Sequence, residues 1–362
     1  MRTLRLAFLG GGIGSIAGPA HFCAAQLDGK FELVAGCFSK SAEVNRLSAE
    51  KYAITRIYED LAELIKHEKD NVDAMVVLTP TPDHLNAIKE LLKNDINVIC
   101  EKPLCEDLSQ LDEIKSALNR SSACLFVTFN YSGYPLIREM KERVRRDEVG
   151  QILHIRVEMP QESFLRPPTN IRYPQAWRLR DGKIPMICLD LGTHMHQLAS
   201  FVADFQAVKA TSSIKSYSDY KVIDNVEILA ESASGVTCSF WMSKVALGNR
   251  NGLNIQVYGS KGSLSWSQNE SERLYFSSKN GDIRIIDRGS QCFSDMSAST
   301  RMTPGHPAGY LEAFANIYSD IYKVMQQRST GSELDSAALQ SEKNLGIVMS
   351  EKGLKFFEDM IG

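Results

Sequence analysis

The first third of the chain alternates short, continuous apolar runs with amphipathic stretches, and this alternation restricts the fold more than any other feature. LRLAFLG, FELVAGCF, AMVVLT, INVICEKP and ACLFVTFN read as strands, without the polar alternation of a sheet that faces water on one side. Between them, AEVNRLSAEKY, LAELIKHEK, HLNAIKELLKND and LSQLDEIKSALNR place apolar residues three and four apart with charges opposite. Strands buried on both faces need helices on both faces, so the pattern predicts an α/β unit with a parallel, doubly wound sheet.

The texture changes after Phe129. A helical PLIREMKERVRR leads into ILHIRVEMP, then a long polar, proline-bearing stretch runs to Arg180. Beyond a helix-like DLGTHMHQLASFVA come strand-like KATSSIKSY, NVEILAES, VTCSFWMS, NIQVYGS, GSLSWSQ and RLYFS, separated by turn signals such as NG and GSKG. They predict an α+β domain built on a mainly antiparallel sheet. Residues from about Lys279 to Gly305 read as loop, and YLEAFANIYSDIYKVM resumes a helical period. With 362 residues, 43% of them hydrophobic, the chain can fill two cores, divided here into 1–129 and 130–362.

Charge and cysteine usage narrow the function. A net charge of -3, without a long single-sign block, gives no footprint for nucleic acid or an anionic membrane. The apolar N-terminal run ends in glycines rather than in a cleavage site, and no apolar stretch approaches the roughly 20 residues of a membrane span. The eight cysteines are scattered, with no CxxC pair and no histidine cluster, which argues against zinc and for buried, reduced thiols in a cytoplasmic protein. No metal is expected.

Several motifs could carry chemistry. Gly10, Gly11, Gly12, Gly14 and Gly18 follow the first strand and precede a helix, where glycines let backbone approach a pyrophosphate. At the end of the second strand, where an acidic residue would bind the ribose of NAD, stand Ser39 and Lys40, leaving NAD and NADP both open. The next strand ends at Thr79 and Pro80, and INVICEKP ends at Glu101, Lys102 and Pro103, placing an ammonium at the same sheet edge. Asp190 and His194, four apart in ICLDLGTHMHQLASFV, share a helical face; His196 points elsewhere and reads as structural. Taken singly, Lys102 also reads as a surface charge, and Asp190 with His194 as a helix cap and a satisfied histidine.

Together, GGGIGSIAGPAH, TPTPDH, ICEKPL, NYSGYP, AWR, DLGTH and GHPAGYLEAFANIY resemble, in order and over nearly the full chain, the Gfo/Idh/MocA family of NAD(P)-dependent oxidoreductases. The resemblance implies an N-terminal Rossmann domain and a C-terminal α+β domain with a large, open, mainly antiparallel sheet, and leaves open whether the C-terminal helices return to the first domain. It makes Lys102, Asp190 and His194 the candidate catalytic residues. Candidate cofactor-binding residues are Gly10, Gly12, Ile13, Gly14, Ser39, Lys40, Thr79, Pro80, His84 and Glu101, together with Lys102. Tyr131, Trp177, Arg178 and His306 are candidates for the substrate side. The extended glycine loop resembles one subgroup, from which Ala308 departs by replacing a common Glu.

The family resemblance further implies a sugar-like or cyclitol-like substrate and a homodimer or homotetramer. Oxidation of a secondary alcohol then assigns proton removal to His194, stabilisation of the same oxygen to Lys102, and orientation to Asp190. The alternatives are a redox-neutral, NAD-dependent sugar-modifying enzyme acting by elimination or glycoside cleavage, and a non-catalytic dinucleotide or sugar sensor.

Overall fold

The computed structural model describes residues 2–166 and 174–361. The chain forms two compact units, one from residues up to Asn130 together with Phe314–Glu351, the other from Tyr131–Ala313 and the chain from Lys352 onward.

The first unit is built around β1 (Leu4–Gly10), α1 (Gly18–Gln26), β2 (Phe31–Cys37), α2 (Ala42–Tyr52), β3 (Arg56–Ile57), α3 (Leu61–Glu68), β4 (Ala74–Leu78), α4 (His84–Lys93), β5 (Val98–Cys100), α5 (Leu108–Leu118) and β6 (Leu125–Val127). Its strands are all parallel, in the order β3-β2-β1-β4-β5-β6. The continuous apolar runs are buried as their composition requires: Leu6, Phe8, Val76, Val77 and Ile99 are all 0% exposed. Local signals start the helices, since the side chains of Ser41, Asp60 and Asp107 accept the N–H groups of Val44, Glu63 and Gln110. β1 lies between β2 and β4, so the strand order reverses there and opens the ligand crevice of such sheets at the strand C-termini. Gly10, Thr79 and Glu101 all lie at that edge. The short, exposed β3 carries no hydrophobic pattern and is not predicted by the sequence.

The second unit contains α6 (Pro135–Arg145), β7 (Ile152–Pro160), α7 (Thr193–Ala203), β8 (Ala207–Lys215), β9 (Asn225–Ser232), β10 (Thr237–Ser243), β11 (Asn254–Gly259), β12 (Gly262–Ser267), β13 (Leu274–Ser278) and β14 (Ile283–Ile286). These strands form a sheet in the order β14-β13-β12-β11-β7-β10-β9-β8, antiparallel except where β7 pairs with β10. Alternation follows the sequence: Val226, Ile228 and Ala230 of β9 are buried, while Leu229 on the opposite face is 55% exposed. α6 and α7 pack on each other and on this sheet. β14 corrects the reading of 279–305 as loop; Ile283 and Ile285 are exposed, so this edge strand lacks the buried alternation that would reveal it. Helices α8 (Tyr310–Ser329), α9 (Ser336–Leu345) and α10 (Ile347–Ile361) complete the chain.

All eight cysteines are free thiols, and five are buried; Cys23 is exposed, contrary to the expectation of burial. Among the described residues, no helix is long and apolar enough to cross a membrane.

Candidate active site

In the first unit, the glycine loop is shaped by lack of space. Gly10 and Gly11 have φ of +84° and +74°, and a Cβ on Gly18 would stand 2.0 Å from the carbonyl oxygen of Gly11. Gly14 is different, with nothing within 4 Å of an added Cβ. The loop is also tied down, once within itself and twice to α2. The Ile13 N–H donates to Ser48 Oγ at 3.0 Å, the Gly18 N–H to Ser15 Oγ at 3.0 Å, and Tyr52 Oη to the Gly11 carbonyl at 2.8 Å. Ile13 therefore presents its side chain, 37% exposed, while its amide is engaged by Ser48.

Ser39 Oγ accepts the Ser41 N–H, and the exposed Lys40 ammonium stands 3.5 Å from Asp83. At the end of β4, Thr79 Oγ1 is buried with no hydrogen-bond partner among the described residues. An orphaned hydroxyl, positive-φ glycines and open space at Gly14 together fit a dinucleotide laid across this edge.

Two candidate cofactor ligands take other positions. His84 is 1% exposed, with Nδ1 3.0 Å from the Pro103 carbonyl oxygen and Nε2 2.9 Å from that of Thr79. Both ring nitrogens lie within hydrogen-bond distance of backbone oxygens, and Cys100 Sγ stands 3.5 Å from Nδ1, so His84 ties the ends of two strands together. Burial lowers its pKa, against the opposing effect of the two carbonyls. Glu101 also turns inward: its Oε1 lies 2.9 Å from His21 Nε2 and 2.7 Å from Thr128 Oγ1, and His21 Nδ1 lies 2.8 Å from Tyr318 Oη. Burial raises the Glu101 pKa, but His21, the charge of Lys102 and the Thr128 hydroxyl outweigh it and bring it to about 2. Glu101 is thus a fixed anion directly before Lys102, which is half-buried and joined to Pro103 by a cis peptide bond.

In the second unit, Asp190 does not sit in the first turn of a regular α-helix. Cys188–Gly192 forms a π-helical turn ahead of α7, closed by the Thr193 hydroxyl donating to the Leu189 carbonyl at 2.9 Å. Gly192 is required there because a Cβ would meet Phe357 at 2.5 Å. Asp190 and His194 are 8% and 7% exposed. Asp190 Oδ1 pairs with Arg178, and Oδ2 accepts from Lys244 Nζ at 2.5 Å. Arg178 comes from a short 3-10 turn, Ala176–Leu179, with its guanidinium 4.4 Å from the centre of the Trp177 ring.

The Tyr131 and His194 rings pack perpendicular to each other, with centroids 4.8 Å apart at 84°. Tyr131 Oη donates to Gln268 Oε1 at 3.1 Å and accepts from Asn251 Nδ2 at 3.0 Å, and burial pushes its pKa up to about 12. The second unit therefore holds two contacting pairs, Tyr131 with His194 and Arg178 with Asp190, with Trp177 stacked on Arg178. His306 is exposed on a loop, contacting Thr303 and accepting from Arg288 through its carbonyl.

Sequence reasoning missed Lys244, His21 and Thr128. Lys244 reads as a solvated charge after a strand, and His21 lies in an apolar helical run. Their partners are distant in the chain, so no local spacing identifies them. Among the described residues, no group of three or more His, Cys, Asp or Glu is suited to a metal.

Comparison with known proteins agrees with this architecture. Residues 4–129 match the family model described as oxidoreductase family, NAD-binding Rossmann fold, and residues 137–265 match the GFO/IDH/MocA C-terminal domain. An uncharacterized oxidoreductase, YfiI of Bacillus subtilis, is 26% identical over 88% of this chain and 84% of its own length. The glucose-6-phosphate 3-dehydrogenase of the same organism is 27% identical over 60% of this chain, a match spanning 64% of that enzyme. Among solved structures, an oxidoreductase from Sinorhizobium meliloti is 30% identical with a TM-score of 0.84, covering 99% of this chain and 96% of that one. An inositol dehydrogenase homolog from Azotobacter vinelandii, complexed with NADH and myo-inositol, is 26% identical with a TM-score of 0.90, covering 99% and 95%.

Proposed function

Because the chain belongs to the GFO/IDH/MocA family of oxidoreductases, we propose that it oxidises or reduces a secondary alcohol carbon of a sugar, cyclitol or sugar derivative with NAD or NADP. The observation that carries the reading is the buried set Asp190, His194 and Tyr131 in the second unit, in a chain whose first unit sets Lys102 at a glycine-lined sheet edge. A relative that acts on glucose 6-phosphate and a structural neighbour that holds NADH with myo-inositol support the substrate class.

Gly10, Gly12, Gly14 and Thr79 would hold the dinucleotide, with Pro80 beside it and Ser39 and Lys40 toward the ribose. The nicotinamide, when bound, supplies the hydride acceptor or donor. His194 takes the hydroxyl proton on oxidation and returns it on reduction. Lys102 donates a charged hydrogen bond to the same oxygen and stabilises its developing negative charge. Asp190, paired with two cations, orients rather than accepts a proton. Tyr131, Trp177 and Arg178 shape the substrate side.

The reading extends to assembly and place. Residues on the sheet face away from the helices, including Leu229 and Tyr258, are exposed, and their burial against a second copy would make the protein a homodimer or homotetramer. Its place is the cytoplasm, where its free thiols stay reduced.

The test is turnover of a panel of free sugars, cyclitols, sugar acids and nucleotide sugars with each oxidised cofactor. The reading expects one class to reduce NAD or NADP, and expects His194→Ala to lose about 100-fold or more in kcat. A folded protein that binds a dinucleotide but turns over no alcohol would defeat it.

A further inference from the structure

Lys244 enters the mechanism above only as a partner of Asp190, yet it is among the most deeply buried large side chains, at 2% exposure. Its backbone is pinned on both sides: the N–H donates to the Asp224 carbonyl at 2.8 Å, and the carbonyl accepts from the Phe164 N–H at 2.9 Å. The ammonium stands 5.3 Å from the centre of the Phe164 ring and donates to Asp190 Oδ2 at 2.5 Å. The other oxygen of the same carboxylate pairs with Arg178.

Each oxygen of Asp190 is thus held by a different cation, and the three groups come from separate segments: the end of β10, the π-helical turn and the 3-10 turn. The cations are unequal in access, since the Arg178 side chain is 18% exposed and that of Lys244 only 2%. Arg178 is the outer partner, which a ligand can reach. Lys244 is the inner one. A lysine is rarely buried so fully unless its charge is paired, and a carboxylate fixed at both oxygens cannot swing to a second orientation.

We propose that Lys244 is a positioning residue of the reaction: it holds Asp190 from the protein interior as a fixed anion, so that Asp190 presents one orientation to the substrate. The proposal rests on the dehydrogenase reading, because it gives Lys244 a role only through Asp190.

The test is a double-mutant cycle on the full-length protein. Lys244→Gln, Asp190→Asn and the double variant are compared for kcat, KM, NADH affinity and thermal midpoint, using the alcohol that wild type turns over best. Lys244→Gln is expected to lower kcat about 10-fold or more while leaving NADH affinity unchanged, and to cost nothing further in the Asp190→Asn background. Losses that multiply, or an unchanged kcat in Lys244→Gln, would overturn the role.

Should Lys244→Gln fail to fold, Asp190→Asn/Lys244→Met, which leaves neither charge of the pair, takes its place and is expected to match Asp190→Asn alone. Lysine ammonium NMR gives a readout that needs no substrate: a slowly exchanging Nζ signal is expected in wild type and lost in Asp190→Asn. Persistence of that signal in Asp190→Asn would separate Lys244 from Asp190 and overturn the role. Wild type without turnover on any alcohol rejects the dehydrogenase reading and the role with it, whereas turnover with multiplying losses rejects the role alone.

Discussion

His21 Nε2 lies 2.9 Å from Glu101 Oε1, so a side chain on the first helix fixes the residue that precedes Lys102. Hydrogen bonds from Thr128 to Glu101 and between His21 and Tyr318 extend this into a buried network beneath the sheet edge. Lys102 inherits its placement from that network rather than from its own surroundings alone.

Replacing His21 with Leu is expected to destabilise the protein by about 1–3 kcal/mol, because it removes a hydrogen bond to a buried carboxylate. The pH dependence has a defined sign. Glu101 titrates near 2 in the folded protein against an ordinary value of 4.5, so its contribution is complete above about pH 4.5 and is lost as pH falls toward 2. In His21→Leu the acid limb of unfolding, followed by circular dichroism, is expected to move to higher pH.

His84→Leu leaves the Thr79 and Pro103 carbonyls without their imidazole partner. The expected cost is about 1–3 kcal/mol, because the neutral ring donates to one of the two carbonyls and its loss leaves that buried acceptor unpaired. It is read from urea midpoints, with NADH affinity falling as well because both strand ends lose their tie.

Gly14→Ala and Gly18→Ala separate two uses of glycine. Nothing stands within 4 Å of a Cβ at Gly14, so its alanine variant is expected to keep wild-type stability and lose affinity for NADH, the pyrophosphate being what needs that space. At Gly18 the new Cβ would collide with the Gly11 carbonyl at 2.0 Å, and stability and affinity should fall together. Thermal midpoints and fluorescence titration on the same samples check both.

His196 packs against Phe356 and Phe357, and burial, aided by the charge of Lys352, pushes its pKa down to about 4 from 6.5. Between those values the unfolded chain binds a proton that the folded protein refuses, so stability falls as pH falls, by about 3 kcal/mol over the full window. Urea unfolding at pH 7 and pH 5 is expected to show about 2 kcal/mol of this loss in wild type, and His196→Gln to lack that part.

Periodicity made the fold legible. Most strands and helices of the first unit appear as continuous apolar runs and amphipathic stretches, and the second sheet as alternating ones; β3 and β14, both exposed and short, escape, and α9 and α10 were not read individually. Candidates for the site were nameable where they fall in a local motif, as at Lys102, Asp190 and His194. The site was not legible where a role depends on a distant partner. His84 and Glu101 stand at the right strand ends, yet their polar atoms turn to Pro103 and His21, and Lys244 reaches Asp190 across 54 positions. The π-helical turn at Cys188–Gly192 is equally hidden, because one extra residue in a turn leaves the apolar pattern almost unchanged.

The central claim is tested most directly by following reduced-nicotinamide formation from the alcohol panel in wild type and in Lys102→Met, both first titrated with NADH and NADPH by nicotinamide fluorescence. The account expects one cofactor to bind wild type at micromolar concentration or tighter and to bind the variant measurably, with turnover in wild type and, at saturating cofactor, a loss of about 100-fold or more in the variant. Failure of either cofactor to bind wild type, or equal turnover in the two proteins, would contradict it.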